Sequence, residues 1–204
     1  MAEALDLSTE QKILEAAKKV FIQKGLDGAR LEEIALEAGI NKALLHYYFR
    51  SKEKLFETIF DQMVSKIAPD FSVIVESKSP IEEKIELFVH RYIDFVSENP
   101  QLPLFMIIEV NRNPQRMKDV LGQTQNFNKI QQFAYQMLTE MQVGRIKSFN
   151  PLHLMLNIMS LCIFPFIAKP VIQAILQVNE ADLSIILKQR KEEVSRFLHE
   201  ALRP

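Results

Sequence analysis

Between Leu31 and Leu55 the chain reads LEEIALEAGINKALLHYYFRSKEKL, and its chemistry-bearing side chains cluster just past the middle. Lys42 can donate to guanine O6 and N7. Ala43 and Leu44 can touch a thymine methyl. His46 can donate or accept, so it suits a base edge or a phosphate equally. Tyr47 follows, and Arg50, Lys52 and Lys54 add positive charge immediately downstream. Few of these groups are charged, so affinity and specificity are expected to come from different residues.

Two short helices must position that set. Leu31, Ile34, Ala35 and Ala38 recur at helical spacing and predict one buried face. Gly39 follows, where a helix ends easily in a left-handed conformation. Ile40 can fill the corner. Asn41 is a good N-cap for a second helix over about Lys42 to Tyr48. Leu45, with Tyr48 or Phe49, would turn inward and leave Lys42, Ala43, His46 and Tyr47 facing out. This is a helix-turn-helix, in which the first helix braces a second that fits the DNA major groove. Leu44 can also be read as core.

The stretch resembles the DNA-binding domain of the TetR family of transcriptional regulators. The matching residues are Ile34-Ala35, Ala38-Gly39, Leu45 to Phe49, and Ser51-Lys52-Glu53-Lys54-Leu55, and with the preceding helix they cover roughly Thr9 to Phe60. The resemblance implies an all-α fold. Residues 1–51 would form a three-helix DNA-binding domain, and residues 52–204 a helical effector-binding and dimerisation domain. It implies that Lys42, Ala43, Leu44, His46 and Tyr47 contact bases, and that Arg30, Tyr48 and Lys52 hold phosphates. It also implies a homodimer paired through the last two helices. Three positions depart from the family pattern. Ala29-Arg30 stands where Ser or Thr usually opens the helix, Ala43-Leu44 replaces Gly-Thr, and His46 replaces a Tyr.

Composition fits this reading. Glycine is scarce, and Leu, Ile, Met, Ala, Glu, Lys and Gln dominate, most of which favour helix. The formal net charge of −1 means that positive charge must be local if the partner is nucleic acid. The single Cys162 excludes an internal disulfide and a Cys-based zinc site. His46, His90, His153 and His199 lack metal-ligand spacing. There is no phosphate-cradling Gly loop and no nucleophile elbow. No enzymatic activity and no cofactor are expected. No N-terminal apolar run resembles a signal peptide. Leu152 to Leu176 is apolar enough to raise the membrane question, but His153, Asn157, Lys169, Pro165 and Pro170 argue against insertion. A cytoplasmic protein is expected.

Further signals punctuate the chain. Met1 to Leu7 reads as a loose arm. Ser8 and Gln11 form a capping box for a helix whose inner face is Ile13, Ala17, Val20 and Phe21, with Gly25 ending it. Glu10 and Glu15 would point away from DNA. Ser51 caps a helix with a Leu55, Ile59, Met63, Ile67 stripe, and Pro69 should end or bend it. Ser79-Pro80 starts another, with the stripe Ile81, Ile85, Phe88, Tyr92 and Phe95. Helices follow from Leu102 to Asn111 and from Asn113-Pro114 to Gly144, the latter open to interruption at Gly122. Asn150-Pro151 starts a helix apolar nearly all round, to be split by Pro165 and Pro170. Asn179, with Asp182, starts the last, lined by Leu183, Ile186, Leu187, Val194, Phe197 and Leu198.

The middle helices are rich in Met and Phe, namely Phe105, Met106, Phe127, Phe133, Met137, Met141, Met155 and Met159. Such residues can line a cavity for an apolar or aromatic ligand, or simply fill a core. A pocket of His90, Phe105, Met106, Phe133, Met137 and Asn157 is the expectation. The leading reading is a repressor released from a palindromic operator in double-stranded DNA by a small-molecule effector. The alternative is a DNA-binding adaptor of the same fold controlled by a protein partner.

Overall fold

The fold was analysed in a computed structural model, which describes residues 8–123 and 126–204, with side chains outside 65–70 and 120–127. The Met1–Leu7 arm therefore lies outside the described residues, as do the side chains of Ile67, Pro69 and Phe127. The helices are α1 (Thr9–Gly28), α2 (Leu31–Glu37), α3 (Lys42–Tyr48), α4 (Lys52–Glu76), α5 (Ile81–Glu98), α6 (Leu102–Arg112), α7 (Pro114–Gln123), α8 (Asn126–Gln142), α9 (Pro151–Ile167), α10 (Lys169–Leu176), α11 (Glu180–Lys188) and α12 (Arg190–Leu202). The described elements are all helical, in keeping with an all-α fold.

Two compact units form. The first contains Met1–Lys66 and Phe105–Pro114, the second Ile67–Leu104 and Gln115–Pro204. The first unit thus reaches past residue 51 into α4 and recruits the C-terminal part of α6. Its core is built from Ile13, Ala17, Phe21, Ile34, Leu45, Leu55, Phe56, Ile59 and Phe60, all buried. Phe56 is the hub. Its ring meets Phe21 edge-on at 4.9 Å and lies 5.8 Å from Phe105. Such aromatic pairs add to the burial of their area, and they anchor the 105–114 segment to this unit.

In α1 the Ser8–Gln11 capping box is present. Gly25 does not end the helix. It kinks it at φ 67°, and the helix resumes to Gly28. The reason lies in α6, because a Cβ at Gly25 would sit 2.9 Å from Glu109 Oε1 and 3.0 Å from Arg112 Nη1. Only a residue without a side chain permits both the backbone twist and that approach. Glu109 itself is buried.

The second unit packs α5, α8, α9 and α12 around Ile85, Val89, Ile93, Phe133, Met137, Leu154, Ile158, Cys162, Leu183, Val194 and Leu198. Three sequence expectations change here. Pro69 does not end α4, which continues to Glu76; one missing amide costs a long helix less than its many other contacts supply. Ser79 does not cap α5. Pro80 occupies the N-cap without a side-chain bond, and Glu82 and Glu83 face the amide end of the helix instead. The buried stripe of α5 runs Ile81, Ile85, Val89, Ile93 and Val96, with Phe88, Tyr92 and Phe95 half-buried at its flank.

Both prolines of the apolar segment act, but differently. Pro165 stays inside α9, whereas the chain breaks at Ala168 and α10 begins with Pro170 in its first turn. A proline has no amide to offer the carbonyl four residues earlier, here Leu161. Arg190 replaces it, with Nε donating at 3.1 Å and Nη2 at 2.9 Å to Leu161 O. The last helix divides at Gln189 into α11 and α12. Among the described residues no single helix is long and apolar enough to cross a membrane; α9 and α10 reach that length only as a pair bent by 80°.

Candidate nucleic-acid interface

The corner between α2 and α3 follows from its residues. Gly39 adopts φ 68°. Its N–H donates to Leu36 O at 3.1 Å, and the N–H of Ile40 donates to Ala35 O at 3.0 Å. Those two bonds satisfy carbonyls that a helix end would leave open. Asn41 then caps α3, its Oδ1 accepting from the Leu44 N–H at 2.8 Å. The opening of α2 is weaker. Arg30 is its N-cap and makes no side-chain cap bond, so the backbone of Arg30 alone accepts from Glu33 and Ile34.

α3 is two-faced. Leu45 is fully buried and Phe49, just past its end, is 7% exposed. Phe49 rather than Tyr48 is the second anchor, since Tyr48 is 40% exposed. Lys42, Ala43, Leu44, His46 and Tyr47 all face solvent. Leu44 thus lies outside the core, and Tyr47 is 81% exposed. Tyr47 and Tyr48 meet edge to face with ring centroids 5.5 Å apart, which fixes the end of this surface.

The residues expected to hold phosphates differ in their surroundings. Arg30 is exposed. Lys52, the first residue of α4, donates from Nζ to Ala29 O at 3.1 Å. It therefore ties the start of α4 to the link before α2, and two of its three donors are not used in that bond. Ser51 caps α4 through the Lys54 N–H at 3.1 Å.

Electrostatics inside this unit were only partly foreseeable. Each acid of α2 is paired with a lysine of a neighbouring helix. Glu33 pairs with Lys24 at 2.9 Å and Glu37 with Lys19 at 2.9 Å, while Glu32 pairs with Lys42. The hydrogen bond from Lys42 holds the Glu32 carboxyl below its ordinary range, and that from Lys24 does the same for Glu33. Sequence reasoning missed these acids. Glu32 and Lys42 stand ten positions apart across a corner, a spacing that carries no helical signal.

The residues expected to line an effector pocket are divided between the two units. Phe105 and Met106 belong to the first unit; His90, Phe133, Met137 and Asn157 belong to the second. Phe133 and Met137 are buried in the second unit's core, where Phe71 lies 5.8 Å from both Phe88 and Phe133. Asn157 is exposed on α9. His90 Nε2 lies 3.1 Å from Ser195 Oγ. A groove of about 200 Å³ opens elsewhere in that unit, lined by Glu82, Glu83, Glu86, Ser195 and His199 over Ile85, Leu198 and Leu202. Lys84, missed in the sequence, is buried beneath α4 and α8. Its Nζ donates to Val75 O at 2.7 Å and to Gln136 Oε1 at 2.9 Å, and burial pushes its pKa down.

Residues 13–59 match the family model described as bacterial regulatory proteins, tetR family. The chain is 26% identical over 196 residues to the HTH-type transcriptional regulator RutR of Escherichia coli strain K12, covering 96% of this chain and 91% of RutR. The protein belongs to the TetR family of transcriptional regulators. A second relative, the HTH-type transcriptional repressor NicS of Pseudomonas putida, is 44% identical over 55 residues, 27% of this chain and 26% of NicS. Among solved structures, the TetR family transcriptional regulator PfmR of Thermus thermophilus superposes with a TM-score of 0.64 at 18% identity. That alignment covers 78% of this chain and 85% of PfmR. The TetR likeness in sequence is therefore densest over the α1–α4 segment, and the likeness in fold extends into the helices beyond it.

Proposed function

We propose that this TetR-family regulator is a homodimeric repressor that binds a palindromic operator and leaves it when a small apolar or aromatic ligand binds. One observation carries the DNA half of the reading. The solvent face of α3 holds Lys42, Ala43, Leu44, His46 and Tyr47 together, while Leu45 and Phe49 fix the opposite face in the core. In this reading those five side chains enter the major groove and contact bases. Arg30, Tyr48 and Lys52 contact phosphates on either side and set the register.

One α3 reaches only a few base pairs, so discrimination calls for two copies at successive turns of the duplex. The second unit offers a surface for that pairing. Leu152, Leu156, Met159 and Phe164 on α9, Ile185 and Ile186 on α11, and Phe197 on α12 are all exposed. That is more apolar surface on neighbouring helices than a solitary chain ordinarily leaves in water. Repression follows the naming of NicS and remains part of the proposal.

For the effector, the support is the Phe71, Phe88, Phe133 and Met137 cluster in the core of the second unit. A ligand admitted there would favour a spacing of the two α3 helices that no longer matches the grooves. Complete release needs about 5.5 kcal/mol of preference for the free dimer. The exposed Tyr135, Leu138 and Val143 on and beyond α8 suit the second reading, control by a protein partner.

Selection of bound duplexes from a random pool tests the reading. A palindrome with half-sites one duplex turn or a multiple apart is the expected result. Enrichment of no sequence would reject DNA reading through α3, and an isolated half-site would reject the dimer. A ligand that binds the DNA-bound and free protein equally well would reject the release mechanism.

A further inference from the structure

Of the three acids on α2, Glu33 and Glu37 pair with lysines of α1, whereas Glu32 reaches across the corner to Lys42, the first residue of α3. Both side chains of that pair remain largely open, Lys42 at 52% and Glu32 at 61%. A nucleic acid reaching Lys42 therefore meets Glu32 at the same place. An exposed ion pair of this kind is weak and rearranges readily.

Resting on the reading of α3 given above, we propose that Glu32 is a specificity-determining residue, which works with Lys42 as one unit to read a G·C pair and to penalise random phosphate contact. An ammonium has three donors. With one held by Glu32, two remain for guanine O6 and N7, whose acceptors lie side by side at the floor of the major groove. The second oxygen of Glu32 can accept from a cytosine N4 amino group, a pairing that carboxylates make in the same groove. A phosphate offers no such donor. To follow a phosphate, Lys42 must leave its carboxylate, and Glu32 is then left facing another anion. The pair thus rewards a matching base and opposes sliding contact, which charge on Lys42 alone would not do. Glu32 also offsets a positive charge placed at the amide end of α3, where the helix dipole disfavours one.

The test uses the full chain and two duplexes of equal length, one recovered from a random pool by the unaltered protein and one of unrelated sequence. Affinities are measured from about 50 to 200 mM salt for the unaltered protein, Glu32→Gln, Lys42→Met, the double variant and Glu37→Gln. Glu32→Gln should bind the unrelated duplex more tightly, with a salt slope steeper by about 0.9, so the loss across that range grows about 3.5-fold. The ratio of selected to unrelated affinity should fall roughly tenfold, the size of one good base contact. Pool selection with Glu32→Gln should lose its G·C preference at one position per half-site. Glu37→Gln makes the same charge change elsewhere on α2 and should keep the ratio. An unchanged ratio and selected sequence in Glu32→Gln overturns the inference, and so does an equal fall in Glu37→Gln, which would assign the effect to net charge. Glu32→Gln should add nothing in the Lys42→Met background; an undiminished effect there overturns the coupling. Failure of the unaltered protein to bind either duplex would overturn both this inference and the reading of α3, whereas binding with an inert Glu32→Gln overturns this inference alone.

Discussion

Arg190 is placed to repair the carbonyl that Pro165 orphans, and that role gives a number to test. Its guanidinium makes two bonds to Leu161 O, at 3.1 and 2.9 Å. Replacing Arg190 by Met keeps the apolar stem and removes both donors. Bonds from a charged donor contribute about 1.5–3 kcal/mol, and a half-buried carbonyl left without a partner falls in the same range. For a chain of this length each kcal/mol moves the melting temperature by about 2–4 °C, so Arg190→Met should melt roughly 3–12 °C lower. The loss should depend on Pro165. Pro165→Ala returns an amide to the turn below Leu161, and Arg190→Met in that background should cost at most about half as much. Melting followed by far-ultraviolet circular dichroism, at one fixed protein concentration, measures all four corners of the cycle. Additivity of the two substitutions within about 0.5 kcal/mol would refute the repair argument. A Pro165→Ala variant in which Arg190 keeps its full value would do the same.

Three further outcomes are expected. Lys52→Ala should weaken binding to every duplex and lower the salt slope by about 0.9, because one phosphate partner is lost; an unchanged slope in a binding titration removes Lys52 from the contact set. Gly25→Ala should cost about 1–3 kcal/mol in urea unfolding, since it places a side chain at φ 67° and 2.9 Å from Glu109 Oε1. Alkaline pH should destabilise the fold. Burial pushes the Cys162 thiol up to about 12 against Arg190's opposing pull, and Tyr92 is likewise raised to about 12, chiefly by burial. The unfolded chain then releases these protons first, holds fewer than the folded chain between about pH 9 and 12, and stability falls as pH rises through that window. Cys162→Ala should flatten the slope of stability against pH there, whatever its fixed cost, and an unaltered slope counts against the assignment.

Local signals in the sequence carried most of the first unit. Gly39 and Asn41 announce a corner because left-handed backbone and capping oxygens belong to particular residue types, and both act as their types dictate. Asn150 and Asn179 cap their helices for the same reason. Where two helices must agree, the sequence was silent. Gly25 read as a stop, because nothing local says that Glu109, distant in the chain, will press against it. Lys84 follows Glu82 and Glu83 in a run that reads as a solvated face, and only Val75 at the end of α4 and Gln136 within α8 explain its burial. The ion pair of Glu32 with Lys42 was hidden by the same gap between chain distance and spatial distance. The all-apolar character of α9 suggested burial on several sides; within one chain it buries Leu154, Ile158, Cys162 and Phe166 and leaves the other faces open.

Those open faces have a consequence for control of expression. If a twin covers them, as proposed, the active species would form by mass action, and its amount at low abundance would follow the square of the subunit concentration. Halving the number of chains in a cell then leaves a quarter of the pairs. A gene under such a protein would respond sharply to small changes in how much of it is made, before any small molecule is present.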